Sequence, residues 1–316
     1  MALFGRRGAA VPRLTPELDD VELGRVRKRL TSTGASSSHA LGAAVMEQLL
    51  DGTGTDWDRR AHRLAVLADV APPSVQHSWV TWQPRNPDAL TLFAWGVMLR
   101  AREHQQLNAA EAEGAIQACM HASAARPFDP NPWVVRLGLL RIARRPPNEV
   151  FPLWAEITRR DPWHREAHLQ MLGYLSPDEC GSRGQVMDFL DEVRALAPER
   201  TPTAGLALSA FVDHYHATLD QGGLNALTAA HLWERMDAAQ LLDSASVHWP
   251  LSGYLSHAAA LADLNFLAYA LVEARRPKDA AEAFRAIKGV VTADPWGRAS
   301  DDPVGTFVNY WQKAGS

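Results

Sequence analysis

The sequence predicts an all-α protein: an α-solenoid of antiparallel helix pairs with an additional helical segment ahead of it. Three observations predict this class. Apolar residues recur at helical spacing along most of the chain, and alternating apolar–polar runs are too short for a strand series. Proline recurs at helix starts, as in Thr15-Pro16, Asn86-Pro87 and Thr201-Pro202, where its missing N–H costs nothing. The stretch from Asp129 to Pro162 holds two short amphipathic helices between two Asp-Pro stops. The first carries Trp133, Leu137 and Leu140 with Gly138 beside them, and the second carries Val150, Leu153, Trp154 and Ile157. A chain of 316 residues, 47% apolar, is long enough for one solenoid or about two ordinary domains.

Taken in order, residues 1–14 read as a loose tail. Thr15-Pro16-Glu17 opens a helix to about Leu30: threonine caps, proline suits the first position, and an early acid complements the dipole. Thr31 to Ser38 reads as a linker. A helix follows over His39–Leu50, and Asp56 caps another through Trp57, His62, Leu64 and Leu67 until Pro72-Pro73 ends it. After the short stretch Val75–Trp82, Asn86-Pro87-Asp88 starts a long helix to about Gln106, with a second over Ala109–Ala125. The central hairpin comes next, then a helix over Trp163–Leu175. Ser182-x-x-Gln185 is a capping-box pattern. Thr201-Pro202 opens a helix through Leu206, Leu208, Phe211 and Tyr215, Gly222-Gly223 breaks the chain, and a helix through Leu227 and Trp233 resumes. A last hairpin is expected over Ser252–Ala293, turning at Arg276-Pro277. A terminal helix over Val304–Gln312 with Phe307 and Trp311 would cap the stack, since terminal units of solenoids need covers. The domains so read are a 1–14 tail, a 15–85 N-terminal helical segment and an 86–316 repeat domain.

The central hairpin resembles the tetratricopeptide family, whose units run about 34 residues as helix-turn-helix. The resemblance rests on Leu137-Gly138 in the first helix, Trp154 in the second and Pro162 at the exit. Glycine lets the paired helix approach, the ring fills the gap, and proline stops the second helix. Leu172-Gly173-Tyr174 repeats the pair one period later, Trp95-Gly96 is an earlier copy, and Ala283, Ile287, Val290 and Pro295 fit the second half of a unit. Arg141 replaces the family's usual aromatic, and Val150 and Ile157 its small residues, so the repeats are degenerate. The segment Tyr174–Phe189, with Cys-Gly-Ser at 180–182, is also similar to stretches in uncharacterised bacterial helical proteins. That likeness implies no activity.

Charge and composition exclude some functions. A net charge of −4 and a pI near 6.3 give no global case for nucleic acid, whose binders show a basic domain or stripe. Cys119 and Cys180 are too few for a disulfide framework and suit a reducing compartment. Arginine far outnumbers lysine and alanine is abundant, which suggests a bacterial coding sequence of high GC content. Met1 to Arg7 lacks the apolar core of a secretory signal. Leu255–Val272 contains His257, Asp263 and Asn265 and reads as a buried helix rather than a membrane span. A soluble, cytoplasmic protein is expected.

The sequence carries no phosphate loop with its lysine, dinucleotide fingerprint, nucleophile elbow or His-Glu-x-x-His helix. His164 and His168, four apart, share a helical face on which two imidazoles bind metal in some proteins. No third ligand is evident, so they are read as structural. Asp213, His214 and His216 form the other such cluster. Cys180 precedes a helix start that lowers a thiol pKa if it faces it; the alternative is a small residue in a turn. No cofactor and no metal is expected. Arg25, Arg27, Lys28 and Arg29 make either a partner-binding face or a solvated face balanced by Glu17, Asp19, Asp20 and Glu22. Arg136, Arg141, Arg144, Arg145, Arg159, Arg160 and Arg165 make the centre basic, a group that could greet an acidic peptide tail or a phosphate group. Helix-end positions explain several of these, and Arg136 and Arg141 are the informative pair.

The leading expectation is a non-catalytic scaffold or adaptor that binds a protein or peptide. What the resemblance implies is a concave groove lined by first helices. In that register Phe93, Val97 and Arg100 face it from one unit, Val135, Arg136, Leu139 and Ile142 from the next, and Gln170, Met171 and Tyr174 from the third. The face is largely apolar and lacks the family's carboxylate clamp, so an amphipathic helix or apolar peptide fits. The competing view places these residues in a closed core. The alternative function is a small-ligand-binding regulator or enzyme with a pocket near His164, His168 and the central arginines. A homodimer through Phe307 and Trp311 is a third reading.

Overall fold

The structure, a computed structural model, describes residues 11–32, 39–298 and 300–315. The described chain is mostly helical with almost no strand, and it divides into two compact units. Residues 20–198 form one; residues up to 19 and from 199 onward form the other.

The 20–198 unit holds α1 (Val21–Ser32), α2 (His39–Asp51), α3 (Trp57–Val70), α4 (Pro73–Trp82), α5 (Pro87–Glu103), α6 (Ala109–Ala125), α7 (Asn131–Ile142), α8 (Pro147–Arg160), α9 (Arg165–Tyr174) and α10 (Arg183–Leu196). Local chemistry sets the starts. The Asn86 side chain accepts from the N–H groups of Asp88 and Ala89 at 2.9 and 3.2 Å, with Pro87 at the first position. Asp56, Asn108 and Ser182 cap α3, α6 and α10 in the same way. Each cap stabilises its helix by about 1 kcal/mol.

The helix expected from Thr15 starts instead at Val21. Asp20 is its cap, accepting from the Leu23 N–H at 3.0 Å. Thr15 and Pro16 belong to the other unit, where the Thr15 N–H donates to the Val291 carbonyl at 2.9 Å. The expected linker at 31–38 is helical to Ser32, and residues 33–38 and 1–10 lie outside the described residues. No division falls at 85/86, where Asn86 caps a helix that packs on α3 and α4.

Within this unit α3, α5, α7 and α9 lie against one another in that order, while α6 packs on α5 and α7, and α8 on α7. Leu64, Leu67, Trp79, Leu92, Trp95, Val97, Cys119, Val135 and Leu139 share one apolar core. Three glycines admit the approach. A Cβ at Gly96 would overlap the Gln76 amide, one at Gly138 the Met98 sulfur, and one at Gly173 the Arg141 guanidinium. The space left by each glycine is thus filled by a side chain from a preceding helix.

Buried charges inside the unit form two ion-pair networks. Arg60, 2% exposed, binds the Asp88 carboxylate, lies 3.2 Å from Asp129, and donates to the Leu50 carbonyl at 2.7 Å and to Thr53 at 3.0 Å. Arg126 closes the network from its rim, 2.7 Å from Asp88. Arg63 similarly pairs with Asp20 at 2.7 Å and Glu22 at 3.0 Å.

The other unit holds β1 (Arg13–Leu14), α11 (Leu206–Asp220), α12 (Gly223–Thr228), a 3-10 turn at Ala229–Glu234, α13 (Met236–His248), α14 (Ala260–Glu273), α15 (Pro277–Ile287), β2 (Val290–Val291), a second 3-10 turn at Trp296–Arg298, and α16 (Pro303–Lys313). The segment read as a loose tail to residue 14 therefore ends in a strand, with Arg13 and Leu14 parallel to Val290 and Val291. Thr201-Pro202 does not start α11; the helix begins at Leu206. The last hairpin begins at Ala260 rather than Ser252. Its α14–α15 turn reproduces those of α5–α6 and α7–α8. In each, one residue adopts a left-handed conformation (Gln105, Arg144, Arg275) and the next N–H reaches back to the last helical turn. Phe307 is 1% exposed and packs on Phe284 and Trp296, so it belongs to the core of the unit rather than to an outward face.

Candidate binding surface

The nine residues expected to line a groove fall into two sets. Val97, Val135, Leu139, Gln170, Met171 and Tyr174 are buried. The side-by-side packing of α3, α5, α7 and α9 puts these positions between helices: Val97, Val135 and Leu139 lie in the apolar core. Gln170 accepts from Arg141 at 2.9 Å and donates to Glu166 at 2.7 Å. The Tyr174 hydroxyl donates to the Arg145 carbonyl at 2.9 Å, tying α9 to the preceding turn. These six hold the helices together and are not presented to a partner in this conformation. Phe93, Arg100 and Arg136 are half-buried and keep an accessible edge, as does Ile142.

Of the informative arginine pair, Arg141 is structural. It sits on Gly173 and donates to Glu179 at 2.7–2.9 Å. Arg136 differs. Its guanidinium lies 5.0 Å from the Trp133 ring centre, and Arg160 occupies the same ring at 4.6 Å. Such contacts are worth about 0.5–2 kcal/mol. Burial pushes the Arg136 pKa down, and no carboxylate pairs with it among the described residues. Cys119 nearby is fully buried, and its thiol is pushed up to about 12 by desolvation. Arg136 is therefore a partly desolvated cation on an aromatic ring.

The histidine pair is closed off. His164 is 0% and His168 2% exposed, so the ligand pocket expected beside them is not open. The His164 Nδ1 accepts from the Ala167 N–H at 3.3 Å, capping α9, and its Nε2 lies 3.4 Å from the Asn131 Oδ1. His168 stacks among Trp154, Trp163 and Phe189. Desolvation lowers the His164 pKa to about 3 and lowers that of His168, so both rings are neutral. No group of three metal-binding side chains occurs among the described residues. Cys180 is exposed, but partial burial and Glu179 raise its pKa, contrary to an activated thiolate.

Asp213 and His216, flagged together in sequence, join a larger cluster in the discontinuous unit. The Tyr269 hydroxyl meets the His216 Nε2 at 2.8 Å, and Tyr269 stacks on Tyr310 with ring centres 5.2 Å apart. Tyr215 and Tyr310 both donate to the Glu273 carboxylate. Arg298 binds Asp213 and Asp294, each at 2.5 Å. Burial and Glu273 raise the pKa values of Tyr215 and Tyr310. Tyr269 and Glu273, four apart on α14, were a readable pair; Tyr310 and Arg298 arrive only through tertiary packing. The polar atoms are matched to one another, so the cluster binds four elements together.

The described residues form an all-α protein with a half-buried arginine–tryptophan contact on α7. No protein family matches the chain, and no curated protein is significantly similar to it. Among the described residues no helix is long and apolar enough to cross a membrane.

Proposed function

We propose that the chain is a non-catalytic protein-binding scaffold. In this reading α5–α6 and α7–α8 are tetratricopeptide-like helix pairs at the centre of a short solenoid. The first helices α3, α5, α7 and α9 are neighbours in order, the glycine seats recur, and the hairpin turns repeat. The observation that most supports binding is Arg136, a half-buried cation on Trp133 with no carboxylate of its own. The binding surface is the accessible rim of α5 and α7: Phe93, Arg100 and Arg136, with Val97, Val135, Leu139, Gln170, Met171 and Tyr174 as the packed layer beneath. The partner presents a short segment with an acidic or aromatic group for Arg136 and an apolar side chain for Phe93.

The test is affinity capture from native lysate, read by mass spectrometry, with Phe93→Ser/Arg100→Glu/Arg136→Gln as the control bait. A partner retained by the wild type and lost by a variant of unchanged helicity and Tm is the expected result. Equal capture by both baits overturns the assignment of this rim.

A further inference from the structure

The basic helix α1 has two readings in sequence, and the structure commits two of the acids that would balance it, Asp20 and Glu22, to Arg63. The helix begins at Val21, so Glu17, Asp19 and Asp20 are not on it. Asp20 is buried and paired with Arg63, and Glu22, the helix's one acid, also pairs with Arg63. The helix carries Arg25, Arg27, Lys28 and Arg29 on twelve residues, and docking needs only Arg25 and Lys28. Arg25 and Lys28 are exposed and make no ion pair or hydrogen bond among the described residues. They share one stripe with Val21, which is 64% exposed, at spacings of four and three. The opposite face, with Leu23 fully buried, is packed inward.

We propose that the Val21–Arg25–Lys28 face of α1 docks a short acidic segment of a protein partner. Charge complementarity selects the occupant. Arginine and lysine at this spacing match successive carboxylates, the arginine bidentately, and Val21 supplies an apolar anchor beside them. The helix's other apolar side chains face the protein, so it has no free apolar face to enter a bilayer. A nucleic-acid strand runs well beyond a Debye length of about 8 Å and meets the rest of a surface of net charge −4. A short acidic segment meets only the helix.

The experiment is fluorescence anisotropy of the full chain with a labelled eight-residue glutamate-rich peptide, against a serine-rich control, a short single-stranded DNA and phosphatidylserine vesicles. The glutamate peptide is expected to bind best, with affinity falling as salt rises. Arg25→Glu/Lys28→Glu is expected to lose about tenfold or more of that affinity at unchanged Tm, as steering and contact charges do elsewhere. The milder Arg25→Gln/Lys28→Gln guards against misfolding and is expected to lose part of it. Binding no better than the serine peptide, binding untouched by both variants, or tighter binding to DNA or vesicles overturns the proposal. The α1 variants retain capture through the Phe93–Arg136 rim, so failure here is separable from failure there.

Discussion

Replacing Arg60 by methionine keeps the volume and removes one charge from a neutral set of two arginines and two aspartates. Asp88 and Asp129, 3% and 2% exposed, are then left with Arg126 as their one cation, while the Asn131 N–H and side-chain amide still donate to Asp129 at 2.9 Å. Arg126 reaches Asp88 at 2.7 Å but Asp129 at 3.6 Å, and its side chain is 30% exposed, so one buried carboxylate is poorly compensated. Breaking one partner out of a buried ion set costs about 3–5 kcal/mol. The loss of the bonds to Leu50 and Thr53 keeps the figure within that range rather than below it. For a unit of this size that is a fall in Tm of roughly 6–20 °C, at about 2–4 °C per kcal/mol. Asp88→Asn costs less, about 1–3 kcal/mol, because Asp129 still faces Arg60 and Arg126 turns to water. The assay is urea unfolding followed by far-ultraviolet circular dichroism and tryptophan fluorescence. A loss under about 1 kcal/mol for Arg60→Met, or a larger loss for Asp88→Asn, would refute the claim that this network needs its central cation.

Three further outcomes follow from the same packing. Gly138→Ala puts a methyl against the Met98 sulfur and is expected to cost about 1–3 kcal/mol; adding Met98→Ala should make the pair less damaging than the sum, measured as a double-mutant cycle. Gln105→Gly relieves a left-handed residue (φ 50°) with no side-chain bond of its own and should raise stability by up to about 1 kcal/mol in thermal melts. His164 is neutral when folded and titrates near 3, against 6.5 for the free side chain, so the unfolded chain binds more protons in that window. Stability is therefore full above pH 6.5 and falls as pH drops toward 3, by up to about 1.4 kcal/mol per pH unit for this group. His164→Asn should flatten the Tm–pH slope by about one proton; an unchanged slope removes His164 as its source.

Helix identity was largely legible because it is written locally: Asp56, Asn86 and Ser182 cap the helices they announced, and α6 runs over the residues its periodicity marked. Where the reading failed, a distant group had taken over a local signal. Thr15 and Pro16 look like a helix start, but the Thr15 amide is claimed by Val291. The surface was less legible than the fold. Val97, Val135 and Leu139 have the spacing of an exposed apolar face, and spacing alone does not distinguish that from a face pressed on the next helix. Arg136 and Arg141 look equivalent in sequence; only Glu179 and Gly173, brought in from thirty-odd positions away, make one of them structural.

The pairing of Arg13 with Val290 has a consequence for synthesis. One unit is made from both ends of the described chain, and the other, 20–198, is continuous and lies between them. On a ribosome the continuous unit has all its residues early and can close its core while the rest is still being made. The first strand must stay unpaired, its backbone hydrogen-bonding groups open, until Val290 and Val291 have emerged. Errors and pauses during translation therefore fall hardest on the discontinuous unit, whose first strand waits on a partner more than 270 positions further along.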